Sequence, residues 1–298
     1  MVYKFAPDLA VDTACQRGRS DSFGQYTLVG RTPTRGMLTG LRWLGLEVKS
    51  LDRARAFYEG RLGLRAVANG TEIAAGESGE IGPGDDDAGL VGYRVGSGEA
   101  EPTTLLLRRP AHRPRGGVHT HYAFSTTATA YSQWRRRLAD LDPVEFSFGS
   151  SESLYVYDPD GNCVEIGSVD ASTTGESVAP TNTDESAPPL TGIFEVVLEV
   201  LDLSRAEARY RRLGFEVVDR GSDRRRVRLD GPVALELWEP QLGIADARGG
   251  VHVDLGFVTP NPDAAVEAGG PWPNDPVAVD GGVRVVDDDG HVLTFLRE

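Results

Sequence analysis

The chain writes one strand opening twice: RGGVHTHYAF at residues 115–124 recurs 133 residues later as RGGVHVDLGF at 248–257. A fixed internal period of this kind means that each copy is one structural unit stacked on its relatives, so the repeat must be settled before any other reading. It extends well beyond ten residues. The segment from Gly40, GLRWLGLEVKSLDRARAFYEGRLGL, aligns with GIFEVVLEVLDLSRAEARYRRLGF from Gly192. Leu46/Leu198, Glu47/Glu199, Val48/Val200, Ala54/Ala206 and Tyr58/Tyr210 match at one offset. Later, DPDGNCVEI at 158–166 aligns with DDDGHVLTF at 287–295. The chain is an internal duplication, and each half contains a smaller unit twice.

The smaller unit is readable from its periods. In WLGLEV the apolar residues alternate as in a half-buried strand, whereas Leu51, Ala54, Phe57, Tyr58 and Leu62 recur at helical spacing. Strand candidates LRAVA, GLVGYRVG and TTLLLRRP follow. The second unit repeats the order with THYAFST, the helix ATAYSQWRRRLADL, and the strands VEFSFGS, SLYVYD and NCVEIGS, the last two joined by a turn at 158–161.

Two stretches break the pattern. Residues 1–36 hold no sustained period and read as a disordered extension, with Met37 standing directly before the first regular pattern as a candidate translation start. Residues 170–190 are acidic and rich in Ser, Thr and Pro, as expected of a solvated linker. The expected domains are therefore 37–169 and 191–298, each of two units.

Charge and composition exclude several classes. A formal net charge of −14 repels nucleic acid and anionic lipid, and no arginine cluster is more than local. No run of eighteen apolar residues exists and no signal-peptide pattern opens the chain, so a cytoplasmic protein with a small-molecule substrate is expected, with a homodimer left open. Lys4 and Lys49 are the only lysines, while aspartate runs such as 85–87 and 287–289 recur; that bias resembles the proteins of salt-in halophilic microbes, among which a halophilic archaeon is the expected source. Cys15 and Cys163 form no zinc or disulfide spacing, and Cys163 reads as a small core residue.

Four βαβββ units, with LDRARAFYEGRLGL after a first strand and YDPDGNCVEI before a last, resemble the vicinal oxygen chelate superfamily of glyoxalase I, bleomycin-resistance proteins and extradiol dioxygenases. The resemblance covers 37–298. It implies an α+β fold in which four βαβββ modules form two paired glyoxalase-like domains, with metal ligands on the first and last strands of each module. Carried over by position, the N-terminal half supplies Trp43, Leu106, His121 and Glu165; the C-terminal half supplies Glu195, Glu236, Asp254 and Thr294.

The resemblance implies a divalent metal, Fe(II) or Mn(II), in an N-terminal cleft at His121 and Glu165. Residues i and i+2 of a strand share a face, so His119 projects with His121 and could complete a two-histidine, one-carboxylate set for ring cleavage of a catechol-type substrate. His252 could join Asp254 by the same logic. Glu195, Glu236 and Asp254 are the candidates of a second, all-oxygen cleft suited to harder ions. Trp43, Tyr122 and Tyr157 are candidates to line a cleft and stack on an aromatic substrate, or else ordinary half-buried residues. The arginines of 224–230 read as a solvated strand edge or as contacts to an anionic substrate. Two further classes stay open: a metal-free small-molecule binder of the bleomycin-resistance type, and a homologue in which neither cleft works.

Overall fold

A computed structural model describes residues 36–67, 89–96, 102–109, 120–149, 151–169, 187–222, 225–240 and 253–298. The extension at 1–35, most of the linker, His119 and His252 lie outside the described residues. Module one contains β1 (Gly40–Glu47), α1 (Leu51–Tyr58), β2 (Leu90–Val95) and β3 (Thr103–Arg108). Module two contains β4 (Thr120–Thr127), α2 (Ala128–Arg137), β5 (Val144–Phe148), β6 (Ser151–Tyr157) and β7 (Cys163–Val169). Module three runs through β8 (Gly192–Glu199), α3 (Leu203–Arg212), β9 (Glu216–Arg220), β10 (Arg226–Asp230) and β11 (Ala234–Trp238). Module four closes the chain with β12 (Asp254–Thr259), α4 (Pro262–Gly269), β13 (Val277–Val279), β14 (Gly282–Val286) and β15 (Val292–Arg297). Of the LRAVA candidate, Leu64 and Ala66 form single β-bridges rather than a strand, Ala66 antiparallel to Tyr93, and Val67 N donates to the Gly92 carbonyl at 2.9 Å.

Each helix starts in the same way. Ser50, Thr127, Asp202 and Asn261 stand at the N-caps, and each side chain accepts from the backbone N–H three residues on. Such a cap satisfies one of the donors that a helix start leaves open. The other strong local signal is the aspartate turn before the last strand. Asp158 Oδ1 accepts from the N–H of Asp160 and of Asn162, both at 2.9 Å, and Oδ2 accepts from Asn162 Nδ2 at 2.8 Å and from the Tyr58 hydroxyl at 2.9 Å. Asp287 repeats this, holding the N–H of Asp289 and of His291 and taking Tyr210 at 3.4 Å.

These turns join the two modules of each half. Asp160 Oδ1 accepts from Lys49 N at 3.0 Å, and Asp289 Oδ1 from Leu201 N at 2.7 Å, so a last hairpin holds the first strand-to-helix junction of the preceding module. Tyr58 and Tyr122 also meet through their hydroxyls at 2.6 Å.

The sheets are joined differently. In every module the first strand pairs in parallel with the last, leaving its other edge open. The open edge of β1 is taken by β12, and that of β4 by β8, both antiparallel. Modules one and four thus share a seven-stranded sheet, and modules two and three an eight-stranded one. The expectation that each half closes its own cleft is corrected here: sheet pairing runs crosswise between the halves. An open edge is satisfied by any strand of suitable register, and the duplicated modules present nearly identical edges, so hydrophobic pattern alone does not select the partner.

One face of each sheet is apolar and packed under helices. Tyr122, Phe124, Val164, Ile166, Val196, Leu198, Leu235 and Leu237 are all buried in this core. The end of the linker differs from a solvated segment, because Leu190 is buried and the Pro189 carbonyl accepts from Thr126 Oγ1 and Trp134 Nε1. The opposite sheet faces carry the polar residues.

Candidate metal centre

Register sets the candidate ligands side by side. Ala123 on β4 lies opposite Glu165 on β7 and opposite Glu195 on β8, and His121 is two residues back on the same face. Glu236 on β11 lies opposite Val197, itself the partner of His121. The eight-stranded sheet therefore gathers His121, Glu165, Glu195 and Glu236 on one face. All four are buried. The two residues assigned to an N-terminal cleft and two of those assigned to a second cleft belong to one site, which is a consequence of the crosswise pairing.

His121 Nε2 lies 3.1 Å from Glu165 Oε2. His121, Glu165 and Glu195 each offer a donor atom, and the three atoms lie within 4.8 Å of one another. Ala123 stands between the two glutamates in the register, and its methyl group leaves the space in front of them to their carboxylates. Tyr155 and Trp238 border the imidazole edge-on, with ring centroids 5.6 and 6.1 Å away.

Two arginines face the same cluster. Arg228 on β10, the direct cross-strand partner of Glu236, is ion-paired with Glu195 and lies 3.1 Å from Glu236. Arg226 bonds Glu236 at 3.3 Å and Asp219 at 2.7 Å. Trp238 Nε1 donates to the second oxygen of Glu236 at 2.8 Å. Their side chains are only 11% and 20% exposed for Arg226 and Arg228, so the solvated-edge reading of this strand is corrected. An arginine is affordable here only because carboxylates meet it.

The electrostatics follow from burial and proximity. Burial and the neighbouring Glu236 push the Glu195 carboxyl up to about 7, against the pull of Arg228. For His121, burial works against the charged imidazolium, but the hydrogen bond and charge of Glu165, with Glu195 and Glu236 behind it, raise its pKa overall. Burial and the charge of Glu165 hold the Tyr155 phenol well above its ordinary range.

The same four positions of the seven-stranded sheet are Trp43, Leu106, Asp254 and Thr294, and they hold no comparable donor set. Asp254 is satisfied twice: Trp43 Nε1 donates to Oδ1 at 3.2 Å and Arg108 Nη1 to Oδ2 at 2.9 Å. Trp43 lies opposite Gly256, which stands where Ala123 stands in the other copy. Any side chain at 256 would run into the Trp43 ring. Asp254 is thus separated from Glu195 and Glu236, with which it was expected. Tyr122 points to the helical side, where its hydroxyl meets that of Tyr58, and does not border the cluster, whereas Tyr157 is two residues on from Tyr155 on the same strand face and is 39% exposed. Sequence reading missed Tyr155 and Trp238 and did not place Arg228 against the glutamates; the alternation of β6, β10 and β11 carried the signal, but only the register shows what these residues face.

The donor set fits a divalent cation. An imidazole with two carboxylates, and a third carboxylate alongside, are nitrogen and oxygen ligands of the kind that Mn²⁺-class ions take.

Comparison with known proteins bears on the fold. Residues 40–166 match the model of the Glyoxalase/Bleomycin resistance protein/Dioxygenase superfamily. Among curated proteins the sequence finds no match. A Bacillus subtilis protein with a provisional dioxygenase assignment is 17% identical at a TM-score of 0.60, over 88% of this chain and 86% of its own. Glyoxalase I of Zea mays is 16% identical at 0.54, over 87% and 92%, and the cppA protein of Streptococcus pneumoniae 10% identical at 0.51, over 88% and 100%. At these identities the likeness is one of fold. The family model thus matches modules one and two, somewhat under half of the chain, and the fold is shared over nearly nine-tenths of it.

Proposed function

We propose that the protein is a metal-dependent enzyme of the glyoxalase type, with one centre per chain in the sheet shared by modules two and three. The observation that carries this reading is the convergence of His121, Glu165 and Glu195 within 4.8 Å on one buried face, while the duplicate positions hold Trp43 and Thr294. The cation, when bound, supplies Lewis-acid polarisation of two neighbouring oxygens of a small organic substrate. His121, Glu165 and Glu195 hold it. Glu236, engaged by Arg226, Arg228 and Trp238, stands beside them as a fixed counter-charge. Tyr155 and Trp238 offer ring edges that suit a planar or aromatic substrate next to His121.

The donor set favours Mn(II) over Fe(II) and lyase or isomerase chemistry over ring cleavage. Oxygen activation by a facial set draws on two histidines, whereas the described residues bring one imidazole among three carboxylates. Among the described residues no helix is long and apolar enough to cross a membrane.

A second reading rests on a specific observation. Arg228 bridges Glu195 and Glu236 and balances part of the buried charge without any cation, as in a metal-free binding protein. Metal content of protein purified without chelators, kept in high salt, separates the two. One Mn²⁺ per chain, lost in Glu165→Gln, is the expected result. Protein that stays metal-free at millimolar Mn²⁺, yet whose tryptophan emission is quenched by a planar ligand, would favour the binder.

A further inference from the structure

Three buried carboxylates share a face with two guanidinium groups, so the site already holds an internal cation. Arg228 is placed by its strand, directly opposite Glu236, and its guanidinium reaches across β11 to the Glu195 carboxylate on β8. Glu195 has a double engagement as a result. It belongs to the three-donor group with His121 and Glu165, and it is also ion-paired with Arg228. Glu236 differs, because Arg226 and Trp238 hold it independently. Among the described residues, Glu195 is the carboxylate for which the arginine and an incoming cation contend.

We propose that Arg228 is an internal competitor that sets the affinity of the centre: it pairs with Glu195 in the metal-free protein and is drawn back onto Glu236 when a divalent cation takes Glu195. This rests on the metal reading given above. The physical argument is one of charge. A dication added to the cluster gains from Glu165 and Glu195 but is repelled by a guanidinium next to one of its ligands, and it must displace that guanidinium from its ion pair in a site shielded from water. The exchange does not leave the arginine stranded, since Glu236 remains within hydrogen-bonding distance of it. Arg228 thereby keeps three carboxylates together while no metal is present and lowers the affinity of the site for the metal. Binding of the metal and pairing of Arg228 with Glu195 oppose each other by one coupling free energy.

Calorimetric titration with Mn²⁺ of the full chain and of Arg228→Met and Arg228→Lys tests this. Arg228→Met, which keeps the volume and removes the charge, is expected to bind Mn²⁺ at least about tenfold more tightly than wild type, a factor worth about 1.4 kcal/mol. Arg228→Lys, still cationic, should remain within a few-fold of wild type. Equal or weaker binding by Arg228→Met, with wild type still binding, would overturn the competition and leave the metal reading standing. Failure of both wild type and Arg228→Met to bind millimolar Mn²⁺ would remove the metal reading and this inference with it. Should Arg228→Met not fold, the wild-type Arg228 Nε–H resonance followed during Mg²⁺ titration decides: it should move as Glu195 is taken, and a signal unmoved at saturation contradicts the exchange.

Discussion

The difference between His121 and Asp254 is the smallest feature that separates the two sheets. Both residues open the first strand of a module, yet one faces Glu165 and Glu195 and the other is claimed by Trp43 and Arg108. The residues around them fix the outcome. Ala123 puts only a methyl group between Glu165 and Glu195, and Gly256 gives the equivalent space to an indole. Gly256→Ala is therefore expected to lose about 1–3 kcal/mol through overpacking against Trp43. The urea midpoint should fall while the m-value stays constant. An unchanged midpoint would mean that Trp43 does not fill that position.

At the scale of elements, the aspartate turns do for the helical sides what the open strand edges do for the sheets. Asp158 alone satisfies two backbone amides, the Asn162 amide and the Tyr58 hydroxyl, all of them buried. Its removal strands those donors in an apolar setting. Asp158→Ala should cost about 3 kcal/mol, in line with the penalty for hydrogen bonds to a charged group and for the donors left unpaired, and thermal unfolding reads it directly. Asp158→Asn, which keeps one acceptor oxygen, should cost less. A loss below 1 kcal/mol for the alanine variant, well under that penalty, would show that the turn is held by the sheet rather than by the carboxylate.

Elements were largely legible in the sequence for the same reason. Leu51, Ala54, Phe57 and Tyr58 at helical spacing announce a helix, and alternation such as WLGLEV announces strands, because these signals are local. The positions His121, Glu165, Glu195 and Glu236 were named through the superfamily resemblance, and the sheet register brings them onto one face. Their grouping was not legible in the sequence. Whether Glu195 stands beside His121 or beside Asp254 depends on which open edges pair, and β1, β4, β8 and β12 carry nearly the same alternation. Arg228 was read as part of a solvated edge on similar grounds, since a strand of alternating arginines looks the same whether it faces water or buried glutamates. Trp43 was read as a possible stacking surface for a ligand, and it is spent instead on Asp254 and Gly256.

At the scale of the whole molecule, the halves are bound to each other through both sheets. A chain ending near residue 169 would retain its helical contacts but leave β1 and β4 each with one edge unpaired. Residues 1–169 expressed alone should self-associate or aggregate, as light scattering would detect, and mixing with 187–298 should restore a one-to-one complex. A stable monomeric half would contradict the crosswise sheets.

The central claim is that one centre per chain draws its ligands from both halves, His121 and Glu165 from the first and Glu195 from the second. Mn²⁺ binding to Glu195→Gln and Asp254→Asn, measured by electron paramagnetic resonance at equal protein concentration, tests it most directly. Glu195→Gln should abolish stoichiometric binding while Asp254→Asn retains one ion per chain; loss of the ion in Asp254→Asn with binding intact in Glu195→Gln would contradict it.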